Sequence, residues 1–146
     1  MRIALGLCAA ALLVAAAAAQ TPGAASSRGP GAYRVECPGP ELPEARCFVD
    51  DATYVGWRVY DNHCASCHAE GGLGSDFAPA LAPRIRRLSF AQFRDLLDEG
   101  YMGLDGALPA WGQNRDIGRY YGELWAYLSA RAAGDLPPGQ PARRTR

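Results

Sequence analysis

The chain reads as a small all-α domain. Three segments carry apolar residues at helical spacing between recognisable start and stop signals. No stretch sustains the apolar–polar alternation of a half-buried strand, and the connecting segments are rich in glycine and proline.

The elements follow in chain order. Met1-Arg2, an apolar alanine-rich run and a closing Ala17-Ala18-Ala19 make residues 1–19 a secretory signal peptide, cleaved near Ala19. The run is short for a membrane-spanning helix and ends in small residues, so no stable membrane insertion is expected after cleavage. Cys8 lies within it and leaves with it. Roughly 125 residues remain, enough for one domain with an extension. Residues 20–50 read as a linker and an irregular extension packed on the domain. The stretch 20–31 is rich in Gly, Pro, Ser and Ala, and 33–50 carries prolines, acidic residues, Cys37 and Cys47.

The helical domain spans 51–134. A first helix is expected over 52–62 with Asp50 or Asp51 as N-cap; Val55 and Val59 share one face, Gly56 and Tyr60 another. A second is expected over 90–99. Ser89 and Gln92 form a capping box, Phe93, Leu96 and Leu97 the apolar face, and Gly100 the stop. A third is expected over 117–133, capped by Asp116 and ended by Gly134 and Pro137-Pro138. Residues 135–146 form a polar tail with Arg143, Arg144 and Arg146, expected to be disordered.

Cys64-Ala65-Ser66-Cys67-His68 is the C-x-x-C-H pattern of covalent c-type haem attachment. Each thiol can add to one porphyrin vinyl group, and the adjacent histidine can place an imidazole nitrogen on the iron. Two other readings compete. A thioredoxin-like dithiol requires a βαβ context that is lacking here. A zinc site requires further ligands, and the only other histidine is His63. Export agrees with haem attachment outside the cytoplasm, and places the protein in the periplasm. Cys37 and Cys47 are left over and would close a short loop; they are expected to bridge, the alternative being two free thiols.

The formal net charge is zero and lysine is absent, every basic residue being arginine. Nucleic-acid binding therefore has no electrostatic support.

Gly56, Tyr60 and Cys64 fall at intervals of four, and Leu124, Tyr127 and Leu128 recur in the last helix. Together with C-x-x-C-H they resemble the class I cytochromes c over 51–134. The resemblance implies three main helices packed around one covalent haem c, with the glycine letting the first and last helices cross closely. It also implies a proline carbonyl holding the second nitrogen of His68, for which Pro79 in Phe77-Ala78-Pro79-Ala80-Leu81 is the candidate.

One departure concerns the distal side of the iron. The family's Met-Pro is here Leu108-Pro109, and leucine cannot bind iron. Met102 is the remaining methionine once residues 1–19 are removed. Either it ligates the iron, or the site is open or water-bound, or another side chain takes it. Trp111 either donates to a haem propionate or packs in the core. Arg84, Arg86 and Arg87 either meet propionates or an acidic docking face, or form a solvated loop.

Residues 71–81 and the ending AYLSARAAGDLPPGQP are similar to exported cytochromes c that accept electrons from pyrroloquinoline quinone (PQQ) alcohol dehydrogenases. That similarity implies a monomeric, non-enzymatic single-electron carrier, with a PQQ dehydrogenase as donor and an oxidase or another cytochrome as acceptor. The rival is a haem sensor, ligand-binding protein or peroxidase-like enzyme with an open distal iron.

Overall fold

The structure is a computed structural model describing residues 29, 31–39, 46–103 and 106–144. The expected signal peptide, its cleavage site and most of the expected linker lie outside the described residues.

The extension is not wholly irregular. Strand β1 (Val35–Glu36) pairs antiparallel with β2 (Phe48–Val49), and Cys37 is bridged to Cys47 beside them. Val35 and Val49 are buried, so the strands bury apolar residues in the domain's core. The chain then enters α1 (Asp51–His63), whose N-cap Asp50 accepts from the Thr53 N–H. A short helix α2 (Ala65–His68) follows, then a single 3-10 turn at Glu70–Gly72. Helix α3 (Ala82–Ile85) precedes α4 (Phe90–Glu99). The latter starts on the Ser89–Gln92 capping box and stops at Gly100, whose positive φ of 75° suits glycine.

A small hairpin joins α4 to the last helices: β3 (Tyr101–Gly103) with β4 (Gly106–Leu108). The third helix expected from the sequence is broken in two. Asn114, not Asp116, caps α5 (Arg115–Gly118), and α6 (Tyr121–Ala133) begins after a non-helical Tyr120. Gly118 and Gly122 flank the break, and each weakens a helix interior by about 1 kcal/mol. Ile117 and Tyr121, on either side of the break, are both buried in the core. Helix α6 ends at Gly134, left-handed at φ 85°.

The tail is ordered through Arg144, against expectation. Leu136 and Pro141 are buried, and β5 (Ala142–Arg143) adds to β2 in parallel, making a three-stranded sheet in the order β1-β2-β5. Arg143 pairs with Asp51 and Arg144 with Glu36. Two apolar residues and a free strand edge outweigh the polar composition.

The core centres on the crossing of α1 and α6. Gly56 sits where a Cβ would lie 1.9 Å from the Glu123 carbonyl oxygen, so only glycine permits this approach. The Tyr60 and Tyr127 rings pack against each other across the crossing, tilted by 43° with centroids 5.3 Å apart.

Candidate haem site

The crossing delivers the end of α1 to the attachment motif. The Cys64 N–H donates to the Tyr60 carbonyl at 2.8 Å and closes α1; the His68 N–H then donates to the Cys64 carbonyl at 2.9 Å. One helical turn thus carries both thiols and the imidazole. Cys64 is half-buried, Cys67 is exposed, and both are free thiols. Burial, and next the neighbouring Cys67, push the Cys64 thiol up to about 12. Among the described residues no group of three or more His, Cys, Asp or Glu side chains could hold a metal ion.

His68 Nδ1 lies 2.9 Å from the Pro79 carbonyl oxygen. A carbonyl only accepts, so Nδ1 carries the proton and Nε2 is left with its lone pair free. The loop between them is braced throughout. Ser75 Oγ donates to the Cys67 carbonyl, Gly74 N–H to the His68 carbonyl at 2.8 Å, and Tyr60 Oη to the Ala69 carbonyl at 2.5 Å. Arg131 Nε donates to the Gly71 carbonyl at 2.9 Å. Tyr60 and Arg131 were visible in the sequence only as parts of motifs; their hydroxyl and guanidinium partners had no local signal.

The distal candidates sit on the hairpin and after it. Met102, on β3, is 84% exposed and contributes nothing to the core. Leu108, on β4, is half-buried and packs against the core. Trp111 is half-buried, meets His63 edge-on at 6.2 Å, and donates its backbone N–H to the Leu97 carbonyl at 2.7 Å. Arg86 is committed elsewhere, donating to the Ala132 carbonyl at 2.7 Å at the end of α6. A cleft of about 390 Å³ lies between α1 and the α5–α6 turn, lined by Val59, His63 and Tyr120 among others. It contains none of Cys64, Cys67 and His68, so it is not the attachment site.

The residues present fit a haem. Two free thiols and an oriented imidazole share one turn. Of the five strongly exposed large hydrophobics among the described residues, four (Leu73, Phe77, Tyr101 and Met102) lie in the loop after the motif and in the hairpin. A flat apolar macrocycle needs such surface.

A family model described as cytochrome c oxidase, cbb3-type, subunit III matches residues 51–128, from the start of α1 into α6. The chain belongs to the cytochrome c family. Covalently bound haem c, with its iron, is therefore the cofactor of this cytochrome. It is 38% identical over 100 residues to cytochrome c-553I of Paracoccus denitrificans, covering 66% of this chain but 44% of that protein. It is 31% identical over 93 residues to cytochrome c-555 of Methylococcus capsulatus, covering 63% of this cytochrome and 72% of that one. The crystal structure of the c-type cytochrome XoxG from Methylobacterium extorquens AM1 superposes with a TM-score of 0.63 at 37% identity, covering 68% of this chain and 62% of that one. The cytochrome thus spans less than half the length of cytochrome c-553I and under two thirds of XoxG.

Proposed function

We propose that this cytochrome is an exported, monohaem single-electron carrier of the periplasm. In this reading Cys64 and Cys67 hold the haem through thioethers and His68 Nε2 is the proximal ligand. The observation that carries it is the 2.9 Å contact between His68 Nδ1 and the Pro79 carbonyl on the attachment turn. That contact fixes the imidazole tautomer and raises its basicity, as a proximal ligand requires. When bound, haem iron supplies the one-electron couple. The chain supplies the ligand, the apolar surface of the two loops and a surface on which redox proteins dock. The Cys37–Cys47 bridge fits an oxidising compartment. Among the described residues no helix is long and apolar enough to cross a membrane.

The donor is a PQQ-dependent alcohol dehydrogenase and the acceptor an oxidase or another cytochrome, the protein acting as a monomer. The similarity of residues 71–81 and of the AYLSARAAG ending to cytochromes with such donors supports this choice. Stopped-flow mixing with the reduced dehydrogenase from the same source tests it. Rapid reduction of the cytochrome is expected, and a rate no faster than that of an unrelated cytochrome removes the partner.

On the distal side Met102 is the ligand, brought to the iron by the hairpin. Its exposure and its absence from the core support this, because a packing methionine would be buried. Leu108 in the usual ligand position favours the second reading, an open iron serving a sensor or ligand-binding role. A spectrum of the haem-loaded protein with and without carbon monoxide, joined to a redox titration, separates the two. Met102 ligation gives a weak near-infrared sulfur-to-iron band in the oxidised form, lost with a lower potential in Met102→Ala. Fast carbon monoxide uptake by the ferrous wild type, with that band absent, refutes it.

A further inference from the structure

The turn that follows His68 is held from both helices of the crossing. Tyr60 on α1 takes the Ala69 carbonyl, and Arg131 on α6 takes the Gly71 carbonyl two residues on. The other arm of the Arg131 guanidinium, Nη1, donates to the Leu136 carbonyl in the tail. Gly71 is buried with φ 63°, which suits glycine, and a Cβ there would press on the Arg131 guanidinium, 2.8 Å from Nη2. From Gly71 onward the loop closes on itself. The Leu81 N–H donates to the Gly72 carbonyl at 2.9 Å, and the Gly74 N–H returns to the His68 carbonyl at 2.8 Å. Pro79 lies inside that closed segment, facing His68 Nδ1. Arg131 suits the task because its planar fork is pre-organised to serve two separate carbonyls with charge-assisted bonds, whereas a lysine is a compact point charge on a flexible stem.

We propose that Arg131 is a positioning residue for the proximal side of the haem: by fixing the Gly71 carbonyl it holds the loop that keeps the Pro79 carbonyl on His68 Nδ1. The proposal rests on the reading of His68 as the proximal ligand. Arg131 touches neither the imidazole nor Pro79; it acts through the backbone between them. Its second bond, to Leu136, is a purely structural tie, and the experiment separates the two roles.

In the haem-loaded protein, NMR follows exchange of the His68 Nδ1–H with solvent, and a redox titration gives the potential. Arg131→Met and Arg131→Lys each accelerate that exchange by roughly tenfold or more, as expected when local opening loses a charge-assisted bond. Arg131→Lys keeps the charge, so an upward shift of its potential reports a weaker Pro79 bond and a less basic imidazole rather than a lost cation. Arg86→Met, which frees the Ala132 carbonyl without touching the loop, lowers the melting temperature and leaves the exchange rate at its wild-type value. Wild-type exchange in whichever Arg131 variant loads haem, with only the melting temperature reduced, overturns the proposal. Failure of the underlying reading is seen elsewhere: a His68→Ala variant with an unchanged haem spectrum shows that His68 is not the ligand.

Discussion

Ala69, the residue after His68, has φ 59° and ψ 175°, and is the one non-glycine residue with positive φ among those described. That region is nearly confined to glycine and costs about 1–3 kcal/mol. The Tyr60 hydroxyl bond to its carbonyl helps hold it there. Ala69→Gly removes the strain but adds about 0.5–1 kcal/mol of unfolded-chain entropy. Relief is the larger effect, so a net gain on the order of 1 kcal/mol is expected in denaturant unfolding of the haem-loaded protein. A loss would mean that the alanine methyl group makes a contact worth more than the strain. At this scale the Cys64–His68 turn was legible because C-x-x-C-H is contiguous. The Pro79 contact was legible only through family resemblance, and the strain at Ala69 not at all, since nothing in an alanine announces its φ.

The two glycines of the α1–α6 pairing make opposite predictions from one chemical change. A methyl group at Gly56 would meet the Glu123 backbone at 1.9 Å, and backbone cannot step aside. Gly56→Ala is therefore expected to cost about 3 kcal/mol or more, at or beyond the upper end of ordinary overpacking. At Gly122, on α6, a methyl group meets nothing within 4 Å. Gly122 is in the first turn of α6, so Gly122→Ala is expected to stabilise by less than the roughly 1 kcal/mol of a helix interior, through helix propensity alone. Urea midpoints of both variants check the pair; equal effects of the same sign would contradict the close crossing. Helix α4 was readable to the residue because its capping box and stop glycine are local signals. The break between α5 and α6 was not, because the apolar spacing runs through it unchanged, and Asn114 competes with Asp116 for the cap by geometry that spacing does not encode.

At the scale of the whole molecule, the two ends of the described chain lie together. The sheet β1-β2-β5, the Cys37–Cys47 bridge and the bond from Tyr33 Oη to Asp135 tie the extension to the tail beside α1 and α6. Tyrosines are central to this packing, and their titration gives a pH prediction. Burial pushes Tyr127 up to about 12 and raises Tyr60 further. Burial, then bonds to Asp98 and Asp135, push Tyr121 and Tyr33 up to about 12. An unfolded tyrosine loses its proton near 10, so the folded state holds protons that the unfolded state has released. The resulting stability is fully present below pH 10 and is lost as pH rises through 12. The chain has no lysine to titrate in the same window, which makes the reading clean. Guanidinium midpoints measured from pH 9 to 12 should be level at first and then fall; a level profile to pH 12 would mean that these hydroxyls are open to solvent.

Sequence by itself determined what contiguous residues can carry: the C-x-x-C-H turn, the capped helix α4, the start and stop of α1, the stop of α6, and the glycine–aromatic–cysteine spacing that sets the helix crossing. It also identified Cys37 and Cys47 as partners, because they were the cysteines left over. Tertiary structure decided what depends on residues distant in the chain. It ordered a polar tail into a strand against β2, split the last helix, and supplied Tyr60 and Arg131 as braces for the loop behind His68. Local propensity acts over a few residues, whereas a strand edge or a carbonyl in need of a donor is filled by whatever the fold brings near. The outcome at those positions was therefore set by the crossing of α1 and α6, not by composition.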